Sequence, residues 1–150
     1  MSERLDLRRR RVRAVDARTF PMHPSPMSPV VDLQVARAIA AMKVAPARRW
    51  TVAALAKVAG LSRAAFARRF KKAMGVPPLR WLTEHRLKLA QTRLVETETV
   101  LAELAQQIGY VSEFAFAKAF KRRFGTAPGG FRRTARHGST PVRAAFRAAA

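Results

Sequence analysis

The sequence predicts an all-α protein of about seven helices, in which two helix-turn-helix units are joined by a long linker helix. Three observations carry that expectation. Apolar residues recur at helical spacing, and no alternating stretch is long enough to make a convincing strand. The phrase "LAKVAGLSRAAFARRFKKAMGVPP" beginning at Leu55 returns as "LAQQIGYVSEFAFAKAFKRRFGTAP" from Leu104. Each copy also sets a glycine just ahead of a serine, a pairing that turns the chain out of one helix and caps the next. A chain of 150 residues is long enough for one ordinary core and equally able to form two small ones.

The elements follow in order. Residues 1–29 show no sustained period, hold an arginine cluster at Arg8 to Arg11 and prolines at 21, 24, 26 and 29, and are expected to be a flexible basic segment. Residues 30–78 form the first unit. Its opening helix, "VVDLQVARAIAAMK", places Val31, Val35, Ala38, Ile39 and Met42 at helical spacing, with Asp32 near the positive N-terminal end. A second helix starts after a Thr51 cap, with Trp50 and Leu55 in the two positions of a hydrophobic staple, and stops at Gly60. Ser62 caps a third helix, Arg63 to about Met74, which Gly75 and the pair Pro77-Pro78 end.

Residues 79–97 read as the linker, a helix from Leu79 to about Glu96 with apolar residues at 79, 82, 87, 89, 90 and 94. At 1.5 Å per residue it spans on the order of 25 Å. Residues 98–135 are the second unit: a helix to Ile108, a turn at Gly109, Ser112 as cap, and a helix to about Phe124 closed by Gly125 and Pro128. Gly60 pairs with Gly109 at one offset, while Ser62, Phe66, Phe70 and Gly75 pair with Ser112, Phe116, Phe120 and Gly125 at an offset one larger, so the second turn is longer. Val100 stands where Thr51 stands in the first unit, so the second unit's first helix is either capped by Thr99 or begins loosely. A short helix around Gly130 to Arg136 and a flexible Ala/Arg tail, 136–150, complete the chain.

Thirty Lys and Arg against nine Asp and Glu give a formal charge of +21, yet 49% of the residues are hydrophobic. Such a chain folds, and its partner is expected to be a polyanion, nucleic acid ahead of an anionic membrane surface. The absence of cysteine removes disulfides, thiolate nucleophiles and Cys-ligated zinc together. His23, His85 and His137 lie far apart and the acidic residues lack metal-ligand spacing, so no enzyme chemistry, metal or cofactor is expected. Glu84 beside His85 reads as solvated surface. The opening residues lack a continuous apolar stretch and carry Glu3, Asp6 and Asp16, so no signal peptide is read, and no uncharged apolar run is long enough to span a bilayer. A soluble, cytoplasmic, nucleoid-associated protein is expected.

In the third helix, Phe66, Phe70 and Ala73 recur at i, i+4 and i+7 and should face the core. The outward face is then Ala64, Ala67, Arg68 and Lys71, flanked by Arg63. In the second copy Phe116 and Phe120 point inward, leaving Phe114, Ala117, Lys118 and Lys121 outward beside Glu113. Small residues let a backbone approach a major groove, and Arg or Lys reach guanine O6 and N7 there. Arg69, Lys72, Arg122 and Arg123 sit nearer the helix flanks, where phosphates run; with Lys71 and Lys121 they form the expected phosphate-contacting set.

"WTVAALAKVAGLSRAAFARRFKKAMGVPPLRWLTEHRLKLA" joined to "LAELAQQIGYVSEFAFAKAFKRRFGTAPGGFRR" resembles the DNA-binding domain of the AraC/XylS family of bacterial transcription regulators. The likeness runs from about Asp32 to Arg133. It implies seven helices, two helix-turn-helix subdomains and a rigid linker, with each recognition helix inserted in a major groove and the two insertion points roughly 34 Å apart along the duplex. Residue by residue, it implies base reading by Ala64, Ala67 and Arg68 in the first helix and by Phe114, Ala117 and Lys118 in the second, with Arg63 beside them. Two alanines offer only apolar contact, for instance with thymine methyls, where many members hold larger polar residues. The resemblance further implies that a monomer binds two adjacent half-sites of double-stranded DNA alone. RNA polymerase is a second partner if the protein activates transcription. The family usually adds a ligand-sensing domain; none is expected within this sequence, which resembles either the small stand-alone members or a piece of a larger regulator.

One rival reading is excluded at this level and one remains. Some alkyl-DNA repair proteins carry a similar domain, but methyl acceptance there needs a cysteine. A sequence-indifferent nucleoid-type binder would use the same charge, although a pure charge binder has no need of paired turn geometry.

Overall fold

The computed structural model describes residues 33–137, which form seven helices and, among the described residues, no strand. The expectations for the basic segment 1–29, for Val31 and Asp32, and for the tail beyond His137 lie outside the described residues.

Helix α1 (Leu33–Val44) turns Val35, Ala38 and Met42 inward, with Ile39 half-buried beside them. Helix α2 (Val52–Ala59) begins at its threonine: Thr51 Oγ1 accepts the Ala54 N–H at 3.0 Å. The staple closes around that cap, since Trp50 and Leu55 both lie in the first core, and Trp50 Nε1 donates to the Ala45 carbonyl at 2.9 Å. Gly60 ends α2 in the left-handed region at φ 69°, a conformation that a β-carbon would strain. Two residues later Ser62 accepts the Ala65 N–H and starts α3 (Arg63–Met74).

Helix α4 (Pro78–Glu96) is the linker, and at 19 residues it is about 28 Å long. It starts one residue earlier than the sequence reading, because proline lacks the N–H that the first helical position leaves unpaired, and its fixed φ is already helical. Its buried residues fall into two groups. Trp81 and Leu82 enter the first core, with Phe66, Phe70 and Leu55; Leu87, Ala90 and Leu94 enter the second, with Leu104, Ile108, Phe116 and Phe120. At about 100° per residue the two groups point roughly 160° apart. One helix thus buries opposite faces at its two ends and belongs to both cores. Leu79, counted in its apolar face from the sequence, is 41% exposed instead, because Trp81 takes the place in the first core.

Helix α5 (Leu101–Gln107) has Val100 at its N-cap and no side-chain cap, which selects the loose beginning over capping by Thr99; the Thr99 hydroxyl lies 3.1 Å from that of Thr97. The turn to α6 (Glu113–Phe124) is longer than its counterpart, with Gly109 at φ 90° and Ser112 Oγ accepting the Ala115 N–H at 3.1 Å. Helix α7 runs Pro128–His137, longer at both ends than the sequence reading. Proline again opens it. At the other end the Arg136 guanidinium donates to the Thr97 carbonyl and to Glu98, which keeps residues 136 and 137 helical where the sequence reading began the tail.

In the second core, rings surround Phe120. Phe120 stands 5.7 Å from Phe116, 4.6 Å from Phe124 and 5.6 Å from Phe131, ring centre to ring centre. In the first core Trp81 meets Phe70 edge-on and stacks on His85, with centroids 5.2 Å apart and planes 10° apart. Burial, then the charges of Lys43 and Lys88, push the His85 imidazole below its ordinary value. The unfolded chain therefore binds a proton more readily than the fold does. Stability from this residue is complete above about pH 6.5 and falls as pH drops toward the folded value. Denaturant midpoints measured from pH 7 down to pH 5 should decline, and His85→Gln should flatten that decline.

Candidate nucleic-acid interface

Each predicted reader is built from the same local parts. A left-handed glycine (Gly60, Gly109) releases the chain from the preceding helix, a serine hydroxyl (Ser62, Ser112) takes up an N–H of the first turn, and two fully buried phenylalanines anchor the inner face. Anchoring that face fixes the opposite one. On α3, Arg63, Ala64 and Arg68 are exposed and Ala67 is half-exposed; on α6, Phe114 and Lys118 are exposed and Ala117 is half-exposed. The structure leaves every predicted base-reading residue at least partly exposed, with Arg68 and Lys118 opposite the buried phenylalanines and Ala67 and Ala117 turned toward the flank.

The flanking cations divide into two kinds. Lys71, Lys72, Lys121 and Arg122 are exposed. Arg69 instead donates to Gln34 Oε1 on α1, and Arg123 pairs with Glu84 on α4 at 2.7 Å while its guanidinium lies 5.2 Å from the Phe124 ring centre. Glu84 is thus a structural partner tying α6 to the linker, not the solvated residue read from the sequence. No pattern along the chain could pair it with Arg123, 39 residues away, because the meeting depends on how α6 crosses α4.

Charge is distributed unequally. Residues 33–78 contain ten Lys and Arg and no Asp or Glu. Arg63 occupies the first position of α3, where the helix dipole is positive and no acidic residue stands in the first turn. A cation there costs on the order of 0.3–1 kcal/mol unless an anion lies in front of it. The corresponding position of α6 is Glu113, the choice the dipole favours. Near the start of α6, two large apolar side chains are exposed beside Ser112 and Glu113: Val111 at 78% and Phe114 at 77% exposure. The two outward faces therefore offer different chemistry, one a fork of arginines around small residues, the other an apolar tip followed by lysines.

Among the described residues there is no group of His, Cys, Asp or Glu able to hold a metal ion, and no helix is long and apolar enough to cross a membrane. A depression lies between α4 and α6, lined by Leu79, Arg80, Thr83, Glu84, Leu87, Ala119, Arg122 and Arg123. It is crossed by the Glu84–Arg123 pair.

Two capped, outward-facing basic helices, each behind its own glycine turn and held by one shared linker, define a double helix-turn-helix protein. A family model described as a helix-turn-helix domain matches residues 55–134, and the chain belongs to that family, in its AraC type. An AraC-like protein of Streptomyces lividans is 44% identical over 104 residues, 69% of this chain and 34% of that protein. The RCS-specific transcriptional activator RclR of Escherichia coli K12 is 41% identical over 91 residues, 61% of this chain and 32% of its own length. Among solved structures, the DNA-binding domain of the global transcriptional factor AdpA, in complex with a target DNA, superposes with a TM-score of 0.66 at 31% identity, covering 69% of this chain and 94% of that one. The chain spans about a third of the length of the curated relatives it matches.

Proposed function

We propose that this chain is a sequence-specific regulator of transcription, which binds double-stranded DNA by inserting α3 and α6 into two adjacent major-groove segments. One observation carries the reading: two helices with the same anchors and caps present exposed, base-accessible faces on a strongly basic surface. The likeness to a domain solved on its target DNA supports it. Arg68 and Arg63 read through hydrogen bonds, to guanine above all; Ala64, Ala67, Phe114 and Ala117 read through apolar contact with thymine methyls; Lys118 completes the second reader. Lys71, Lys72, Lys121 and Arg122 hold phosphates without reading sequence, and Arg69 and Arg123 join them on release from Gln34 and Glu84.

Both readers lie on one chain, so a monomer suffices. The work is that of a cytoplasmic protein on the nucleoid, with no catalytic step, and activation would add RNA polymerase as a partner. The high charge favours one second reading, a binder indifferent to sequence. Fluorescence anisotropy at 50 and 200 mM salt separates the two. A regulator keeps a preference of about a thousandfold or more for its site at both salts, whereas a charge-only binder weakens equally on all duplexes.

A further inference from the structure

The linker carries one side chain that touches both units at once. Arg86 lies midway along α4, half-buried, and its guanidinium reaches back to the loop between α1 and α2, where Nε donates to the Pro46 carbonyl at 2.7 Å and Nη2 to the Arg48 carbonyl at 2.9 Å. The far side of the same guanidinium is covered by the turn of the second unit. A β-carbon on Gly109 would lie 2.7 Å from Arg86 Nη2 and 2.9 Å from the Ala47 Cα. The backbones of the two units therefore meet directly, over one planar cation, at a place only glycine allows. Gly109 is doubly constrained there, by its positive φ of 90° and by the lack of room. The next residue, Tyr110, packs its ring 5.7 Å from Phe116, an anchor of α6.

We infer that Arg86 is a positioning residue that fixes the second reading helix relative to the first, and so sets the spacing of DNA segments the protein accepts. This consequence rests on the two-reader function proposed above. The second core and the Glu84–Arg123 pair seat α6 on α4, so through them alone its placement relative to α3 rests on α4 staying rigid; a contact between the two units themselves is a second attachment. Arg86 supplies it through a fork with two carbonyl partners, a geometry lysine cannot reproduce. From the loop at 46–48 the chain of contacts runs through Arg86 to Gly109 and Tyr110, then to Phe116 and the outward face of α6.

The chain contains no cysteine, so spin labels can be placed cleanly at Val58→Cys on α2 and Gln106→Cys on α5, both exposed. Electron–electron distance measurement on the full chain should give one narrow distribution, broadened at least twofold by Arg86→Ala. Arg86→Lys, which keeps the stem and the charge, should broaden it to an intermediate width and serves if the alanine variant loses helix content by circular dichroism. A width unchanged in both variants overturns the proposal. In parallel, duplexes carrying the two half-sites at native spacing and with two base pairs inserted should differ at least tenfold in affinity for the unsubstituted protein. They should differ less than threefold for Arg86→Ala, while binding to a single half-site stays the same. Undiminished discrimination by Arg86→Ala overturns the proposal even if the labels move. Broadening together with an unsubstituted protein indifferent to spacing confirms the clamp as geometry and overturns the two-reader reading instead.

Discussion

Replacing Phe120 with alanine is expected to cost about 3–5 kcal/mol, the largest stability loss of any single change considered, because a fully buried ring is removed from a cluster that cannot collapse around the gap. Phe120 touches Phe116, Phe124 and Phe131, so three neighbours lose their packing together. The loss should be local. The two cores share α4 and no buried residue, so the second unit should melt ahead of the first. Thermal unfolding followed by circular dichroism should change from one transition to two, with protease cleavage confined at first to residues beyond the linker. A single transition, merely shifted, would show that the cores unfold as one body.

The second large effect concerns binding. Arg68→Ala should cost about 1–3 kcal/mol on the preferred duplex and relax the preference at one base position, because it removes hydrogen bonds to a base edge. Lys72→Ala, one helical turn away and exposed, should weaken binding to all sequences alike and reduce the salt slope by about one. The contrast matters more than either value. Both side chains are exposed cations on the same helix, and in the proposed function only their direction relative to the buried Phe66 and Phe70 separates a reader from a phosphate contact. Equal loss on every sequence for both variants would remove the assignment of roles.

Much of this architecture is legible in the sequence, because its signals are local. Thr51, Ser62 and Ser112 cap helices at the positions their spacing dictates, and Gly60, Gly75 and Gly125 end them in the left-handed region. The inward faces of α3 and α6 follow from phenylalanines four residues apart. What the sequence does not display is anything decided by how two helices cross. The linker shows no single stripe, since its ends bury opposite faces; Trp81 is hidden in that ambiguity and Leu79 is overvalued by it. Glu84 reads as surface until α6 brings Arg123 to it, and Arg86 reads as one more cation until the loop at 46–48 folds back over the linker. Within the candidate site, the outward faces are predictable from periodicity, whereas the diversion of Arg69 to Gln34 is not.

The most direct test of the central claim, that one chain reads two DNA segments with two helices, is selection of bound duplexes from a random library at physiological salt, repeated with Arg68→Ala and with Lys118→Ala. Two enriched blocks about one helical turn apart, roughly 10–10.5 base pairs centre to centre, are expected, each blurred only by the substitution in its own helix. No enrichment, with affinity that collapses equally on every sequence as salt rises, would contradict the account and leave a charge-driven binder in its place.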